Sequence, residues 1–132
     1  MIKRILISTL LFSTLIFSSP SYAKWTKVSE GVAKIQYVDF EKIKKNNGYV
    51  YFWQLLDYLK PTKYGILSGK IYNQGDCKLF RYKSLSSVVH KQPMGRGWWR
   101  TSPQKKPEWI YPSLGSVAEV VLKKVCSRSV SD

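Results

Sequence analysis

Tyr49-Val50-Tyr51-Phe52-Trp53-Gln54-Leu55-Leu56-Asp57-Tyr58 is the stretch that decides the architecture. Its odd positions supply Tyr49, Tyr51, Trp53 and Leu55 and its even positions Val50, Phe52, Leu56 and Tyr58, so both faces are apolar. Successive side chains of a strand point to opposite faces, and a run that is apolar on both belongs at the centre of a sheet and is covered twice. Asn46-Asn47-Gly48, just before it, is the strongest turn signal in the chain. Lys60-Pro61 ends it, because proline has no amide to give to a ladder. Upstream, Ala33, Ile35 and Tyr37 alternate with Lys34 and Gln36 as a half-buried strand, and Glu30-Gly31 turns the chain back from Trp25 to Ser29. Downstream, Ile66 to Asn73 and Cys77 to His90 read as two more strands, joined by a tight turn at Gln74-Gly75-Asp76.

From Lys91 to Pro112 the pattern changes to four prolines, two glycines and no sustained periodicity, which predicts a long ordered or semi-ordered loop. A helix follows. Ser116-Val117-Ala118-Glu119 has the form of a capping box, with the serine oxygen accepting from the Glu119 amide and the carboxylate reaching back to the serine amide. Val117, Ala118, Val121, Leu122 and Val125 fall on one helical arc with Cys126 at its edge, while Lys123, Lys124 and Arg128 suit the helix C-terminus. The predicted fold class is therefore α+β: an antiparallel sheet of about five or six strands with one C-terminal helix packed on a face.

Residues 1–23 read as a cleavable secretory signal. Lys3 and Arg4 precede the apolar stretch Ile5 to Phe17, and Ser21-Tyr22-Ala23 offers small residues three before and one before a cut after Ala23. Thirteen residues, Ile5 to Phe17, fall short of the roughly 20 that a membrane-spanning helix needs. No cysteine precedes Cys77, so the pattern of a lipid-anchored leader is missing. The reading is one domain over 24–132, exported to the periplasm or beyond without a lipid anchor and with no transmembrane segment in the mature chain. In an oxidising compartment the two cysteines, Cys77 and Cys126, can form only one intramolecular pair. Closing that 49-residue separation would contribute roughly 4 kcal/mol in the chain-entropy view, and it would pin the helix to the sheet.

Catalysis finds little support. His90 is the only imidazole, both cysteines are taken by the disulfide, and Asp39 and Glu41 sit among lysines as a solvated run. Gly95-Arg96-Gly97 lacks the Lys-Ser/Thr that a phosphate-cradling loop requires, and metal ligands are too few for a zinc site. No cofactor is implied.

The whole chain carries 22 Lys+Arg against 8 Asp+Glu, a formal charge of +14. Two positive charges leave with the leader, and of the remaining +12 the segment Tyr58 to Pro107 holds +10, with 11 basic residues and one acid. Within it, Lys91, Arg96, Arg100, Lys105 and Lys106 interleave with Trp98 and Trp99, and no acid occurs between Lys91 and Lys106. Exposed indole beside guanidinium can stack on sugars or bases while the cations engage carboxylate, sulfate or phosphate. The plainer reading is that one tryptophan folds back over the sheet and the cations solvate the loop. The tyrosine-rich strand faces are read first as core and second as the interface of a homodimer.

Trp25-Thr-Lys-Val28, Tyr37-Val-Asp-Phe40, Tyr49-Val-Tyr-Phe-Trp53, Asp57-Tyr58, Gly75-Asp-Cys-Lys-Leu-Phe-Arg-Tyr-Lys83, Pro93-Met-Gly95, Pro107-Glu-Trp109 and Leu122-Lys-Lys-Val-Cys126 together resemble the surface-adhesin protein E family of small exported bacterial proteins. The resemblance implies an antiparallel sheet of about six strands, a C-terminal helix tied to it by the disulfide, and a tendency to dimerise. It also implies an adhesin-like module that binds extracellular proteins without catalysis. The alternatives are a cationic module for anionic glycans, envelope lipid or nucleic acid, and a periplasmic structural protein. Two features depart from the family: the anchoring cysteine of its namesake is missing, and Met94-Gly95-Arg96-Gly97-Trp98-Trp99-Arg100 stands where many relatives carry a glycine run.

Overall fold

The computed structural model describes residues 23–103 and 105–130, so the leader read at residues 1–23 lies outside the described residues except for Ala23. Tyr49–Tyr58 forms one ten-residue strand, β4, preceded by β1 (Thr26–Glu30), β2 (Lys34–Val38) and β3 (Lys44–Asn46). It is followed by β5 (Ser68–Asp76), β6 (Arg81–His90), β7 (Trp99–Thr101) and the helix α1 (Val117–Val130). All pairings are antiparallel, in the order β1-β2-β4-β5-β6-β7 with β3 also on β4. β5 runs along one edge of β4, while β2 and β3 lie end to end along the other. The doubly apolar strand is therefore central, as its pattern predicts.

Its even positions face the helix. Val50 and Phe52 join Val38, Val121 and Val125 in one buried cluster, and Leu122 is buried beside them. Cys77, where the chain leaves β5, is bonded to Cys126 with 5.7 Å between Cα atoms, so α1 is tethered across one sheet face. The serine half of the capping box is present, the Glu119 amide donating to Ser116 Oγ at 3.2 Å. The glutamate half is shifted: Glu119 Oε1 accepts from the Gly115 amide at 3.3 Å, because the Ser116 amide already donates to the Ser113 carbonyl.

Two expectations about the chain path are corrected. Gln74-Gly75-Asp76 is the end of β5 and not a turn; the chain reverses over residues 77–80. Asp76 organises that reversal, its Oδ1 accepting from the Lys78 and Leu79 amides and its Oδ2 from Arg81 Nε at 2.9 Å. Gly75 is required by close approach: a Cβ there would lie 2.8 Å from Val50 Cγ2 and 3.1 Å from Leu122 Cδ1. The segment from Lys91 to Pro112 also contains a strand that the loop reading missed, since Trp99–Thr101 pairs with β6, and Ile110 bridges Tyr82. A three-residue strand is too short to show alternation, so only its partner reveals it.

On the helix side, a row of polar side chains crosses four strands beside α1. Gln54 Nε2 donates to Gln36 Oε1 at 3.3 Å, Asn73 Nδ2 to Gln54 Oε1 at 3.1 Å, and Ser84 Oγ to Asn73 Oδ1 at 3.3 Å. Asn73 is buried and its amide is paired on both sides, so this row supports the register of β2, β4, β5 and β6.

Candidate functional site

The face opposite the helix carries the odd residues of β4. Tyr51 and Trp53 flank Tyr72 of β5, with ring centroids 6.1 and 4.8 Å away. Towards the β5–β6 turn, Trp109 lies 5.8 Å from Tyr49 and is capped by Arg81 and Lys83 at 4.2 and 4.4 Å. At the other end the turn at Pro93–Gly95 is laid on the sheet. The Met94 amide donates to Asp57 Oδ1 at 2.8 Å, the Gly95 amide to Ser68 Oγ at 2.9 Å, and Ser68 Oγ to the Gln92 carbonyl at 2.6 Å. Gly95 fits there because it has a φ of +67° and because a Cβ would crowd Leu55 and Lys70. Leu55 is thereby fully buried, and Arg96 is carried to the rim of an open-face cleft.

That cleft has a volume of about 480 Å³ and is lined by Ala23, Trp25, Lys42, Lys70, Met94, Gly95 and Arg96. It adjoins a smaller hollow, about 180 Å³, where Trp25, Lys42 and Lys70 meet Trp53, Val88 and Asp39. Burial and the neighbouring Lys42 charge hold the Lys70 ammonium below its ordinary pKa. Asp39 corrects the expectation of a solvated run, being 1% exposed. Its oxygens accept from the Lys24 amide and from the Glu41 amide, each at 3.2 Å, so it caps the short 3-10 turn Phe40–Lys42 that presents Lys42.

The residues singled out between Lys91 and Lys106 divide into separate groups. Lys91 Nζ and the Arg100 guanidinium lie 4.7 and 5.8 Å from the Trp98 ring centroid. Trp99, paired with His90, follows strand alternation onto the opposite side from Arg100 and is 63% exposed. The two tryptophans thus flank the sheet edge, neither folded into the core. Arg96 belongs to the open-face cleft, and Lys105 and Lys106 are exposed beyond β7. Trp25, Trp53, Lys42 and Lys70 are the site residues that the sequence reading passes over. They come from four elements or connections, and no local motif links them.

His90 ends β6 beneath the Pro93–Trp98 segment and is 3% exposed, with neither ring nitrogen hydrogen-bonded among the described residues. Burial, followed by the Lys70 charge, lowers its pKa, against an opposing influence from the backbone of Gly97, Arg96 and Trp98. Among the described residues no group of three His, Cys, Asp or Glu side chains is placed to hold a metal ion. No described helix is long and apolar enough to cross a membrane.

The fold is a small antiparallel sheet with one disulfide-tethered helix, and its charged and aromatic groups lie on open surfaces. The chain belongs to the surface-adhesin protein E family, whose model matches residues 25–127. That family is one of adhesins and not of enzymes. The fold is shared with protein E of Haemophilus influenzae, at 14% identity, a TM-score of 0.66 and coverage of 84% of this chain and 89% of that one. Protein E from non-typeable Haemophilus influenzae gives 15% identity, a TM-score of 0.61 and coverage of 82% and 80%. Crystal form II of the H. influenzae protein gives 15%, 0.59, 76% and 91%. No curated protein matches the chain.

Proposed function

We propose that this member of the family is an exported, non-catalytic adhesin-like module that holds an acidic extracellular protein at its β6–β7 edge. The observation that carries the reading is the pair of exposed tryptophans on either side of that edge, with Lys91 and Arg100 around Trp98. Tryptophan and arginine together supply much of the energy of protein interfaces when a partner covers them. A cationic rim raises the encounter rate with an acidic partner and discriminates against basic ones. The stretch from Lys91 to Lys106 has no acid to oppose this.

The test is a pull-down of extracellular-matrix and serum proteins over a salt series, with wild type and a Trp98→Ala/Trp99→Ala/Arg100→Ala variant. The proposal expects capture by wild type that persists at moderate salt and is lost in the variant. Equal capture by both overturns it. A steep, roughly linear fall of log affinity with log salt would indicate counterion release from an anionic polymer, the second reading. The open-face cleft favours that second reading at a different place on the molecule.

A further inference from the structure

We propose that the open-face cleft between Trp25, Lys42, Lys70 and Arg96 is a binding site for an acidic saccharide unit, one bearing carboxylate or sulfate groups on a sugar ring. The inference deepens the reading of the protein as an adhesin-like module and assigns it a second, separate surface. Lys42 comes from the 3-10 turn after β2, Lys70 from β5 and Arg96 from the turn after β6, yet all three line one hollow of about 480 Å³. Neither Lys70 nor Arg96 has an ion-pair partner among the described residues. Asp39, the nearby carboxylate, directs its oxygens to the Lys24 and Glu41 amides. Asp57 likewise accepts from the Met94 amide, so the charged side chains that line the cleft are three cations and no acid.

Lys70 is held partly desolvated beside another ammonium, an arrangement that costs free energy and is relieved when an anion enters. Trp25 lines both the cleft and the adjoining hollow, and Trp53 closes the latter. These indoles offer apolar walls for the CH face of a sugar ring while the cations take its acidic substituents. The three cations line one cleft and are not spread along a strand, which suits a compact, multiply charged unit better than a continuous phosphate backbone. The turn bearing Arg96 is anchored to Asp57 and Ser68, so the site is built in advance of its ligand.

The experiment is a two-dimensional NMR titration of the folded protein, following the five tryptophan indole signals, with three probes: a sulfated heparin tetrasaccharide, neutral chitotetraose and inorganic sulfate. The proposal expects the tetrasaccharide to shift the Trp25 and Trp53 signals saturably and chitotetraose to leave them unmoved. Lys70→Met and Arg96→Gln should each weaken binding by roughly tenfold, as loss of one charge-assisted contact implies. The Trp98→Ala/Trp99→Ala/Arg100→Ala variant should bind the tetrasaccharide like wild type. Binding that disappears in that variant but survives Lys70→Met and Arg96→Gln places the saccharide on the β6–β7 edge and overturns the proposal. Inorganic sulfate binding as tightly as the tetrasaccharide also overturns it, because the sugar ring then contributes nothing. Failure of the protein pull-down with a positive titration would remove the edge proposal and leave the cleft standing.

Discussion

Asp39 and His90 are both buried, for different reasons. Asp39 stands just before Glu41, Lys42, Lys44 and Lys45 in a segment that resembles a solvated surface, yet it is held by two amides at 3.2 Å, one of them capping the 3-10 turn over Phe40–Lys42. His90 ends a strand, and it is buried with the backbone of Arg96, Gly97 and Trp98 beside its ring. Its lowered pKa has a stability consequence whose sign is definite. The unfolded chain takes up a proton near the ordinary value of about 6.5, whereas the folded ring resists it until lower pH, so stability falls as pH drops below about 6.5. Urea unfolding at pH 7.5 and 5.5 should give a lower midpoint at 5.5, and His90→Asn should flatten the difference. Asp76 does not confuse that window: burial raises its pKa, but the Leu79 amide and Arg81 outweigh burial, and the net lowering acts only in the carboxylate range below about 4. An unchanged pH dependence in His90→Asn would show that another group controls the acid limb.

The elements were legible in proportion to their length. β4 and α1 carry enough residues for their periods to register, and both lie where the pattern puts them. β7 has three residues and exists only through its pairing with Val88, Val89 and His90. The end of β5 misleads for a physical reason: glycine beside aspartate resembles a turn, but a side chain at Gly75 would collide with Val50 of β4 and Leu122 of α1. Gly75→Ala should therefore overpack the helix–sheet junction and cost about 1–3 kcal/mol, read as a lowered thermal midpoint by circular dichroism. Stability equal to wild type would mean that Val50 and Leu122 give way to the added methyl more easily than the 2.8 and 3.1 Å separations from a Cβ at that position imply. The Gln36-Gln54-Asn73-Ser84 row is also invisible locally, since each member is an ordinary polar residue until four strands align.

For the whole molecule, the disulfide and the charge distribution matter most. Cys77–Cys126 closes 49 residues and joins the sheet to its helix. Replacing both cysteines by serine should lower unfolding free energy by up to about 4 kcal/mol, measurable by denaturant titration. A loss near zero would mean that packing of Val121, Leu122 and Val125 holds α1 unaided. The overall charge of +14 does not form one strip. Part of it surrounds Trp98, part caps Trp109, and part converges on the open-face cleft. Sequence alone determined the central strand, the amphipathic helix and the single possible cysteine pair, because alternation, helical period and elimination are properties of neighbouring residues or of counts. Only the tertiary structure decided that Trp98 and Trp99 lie on opposite sides of an edge, and that Lys42, Lys70 and Arg96 share a hollow with Trp25. Those relations depend on strand register and on how one turn is pinned across the sheet, and both are set by contacts between residues far apart in the chain.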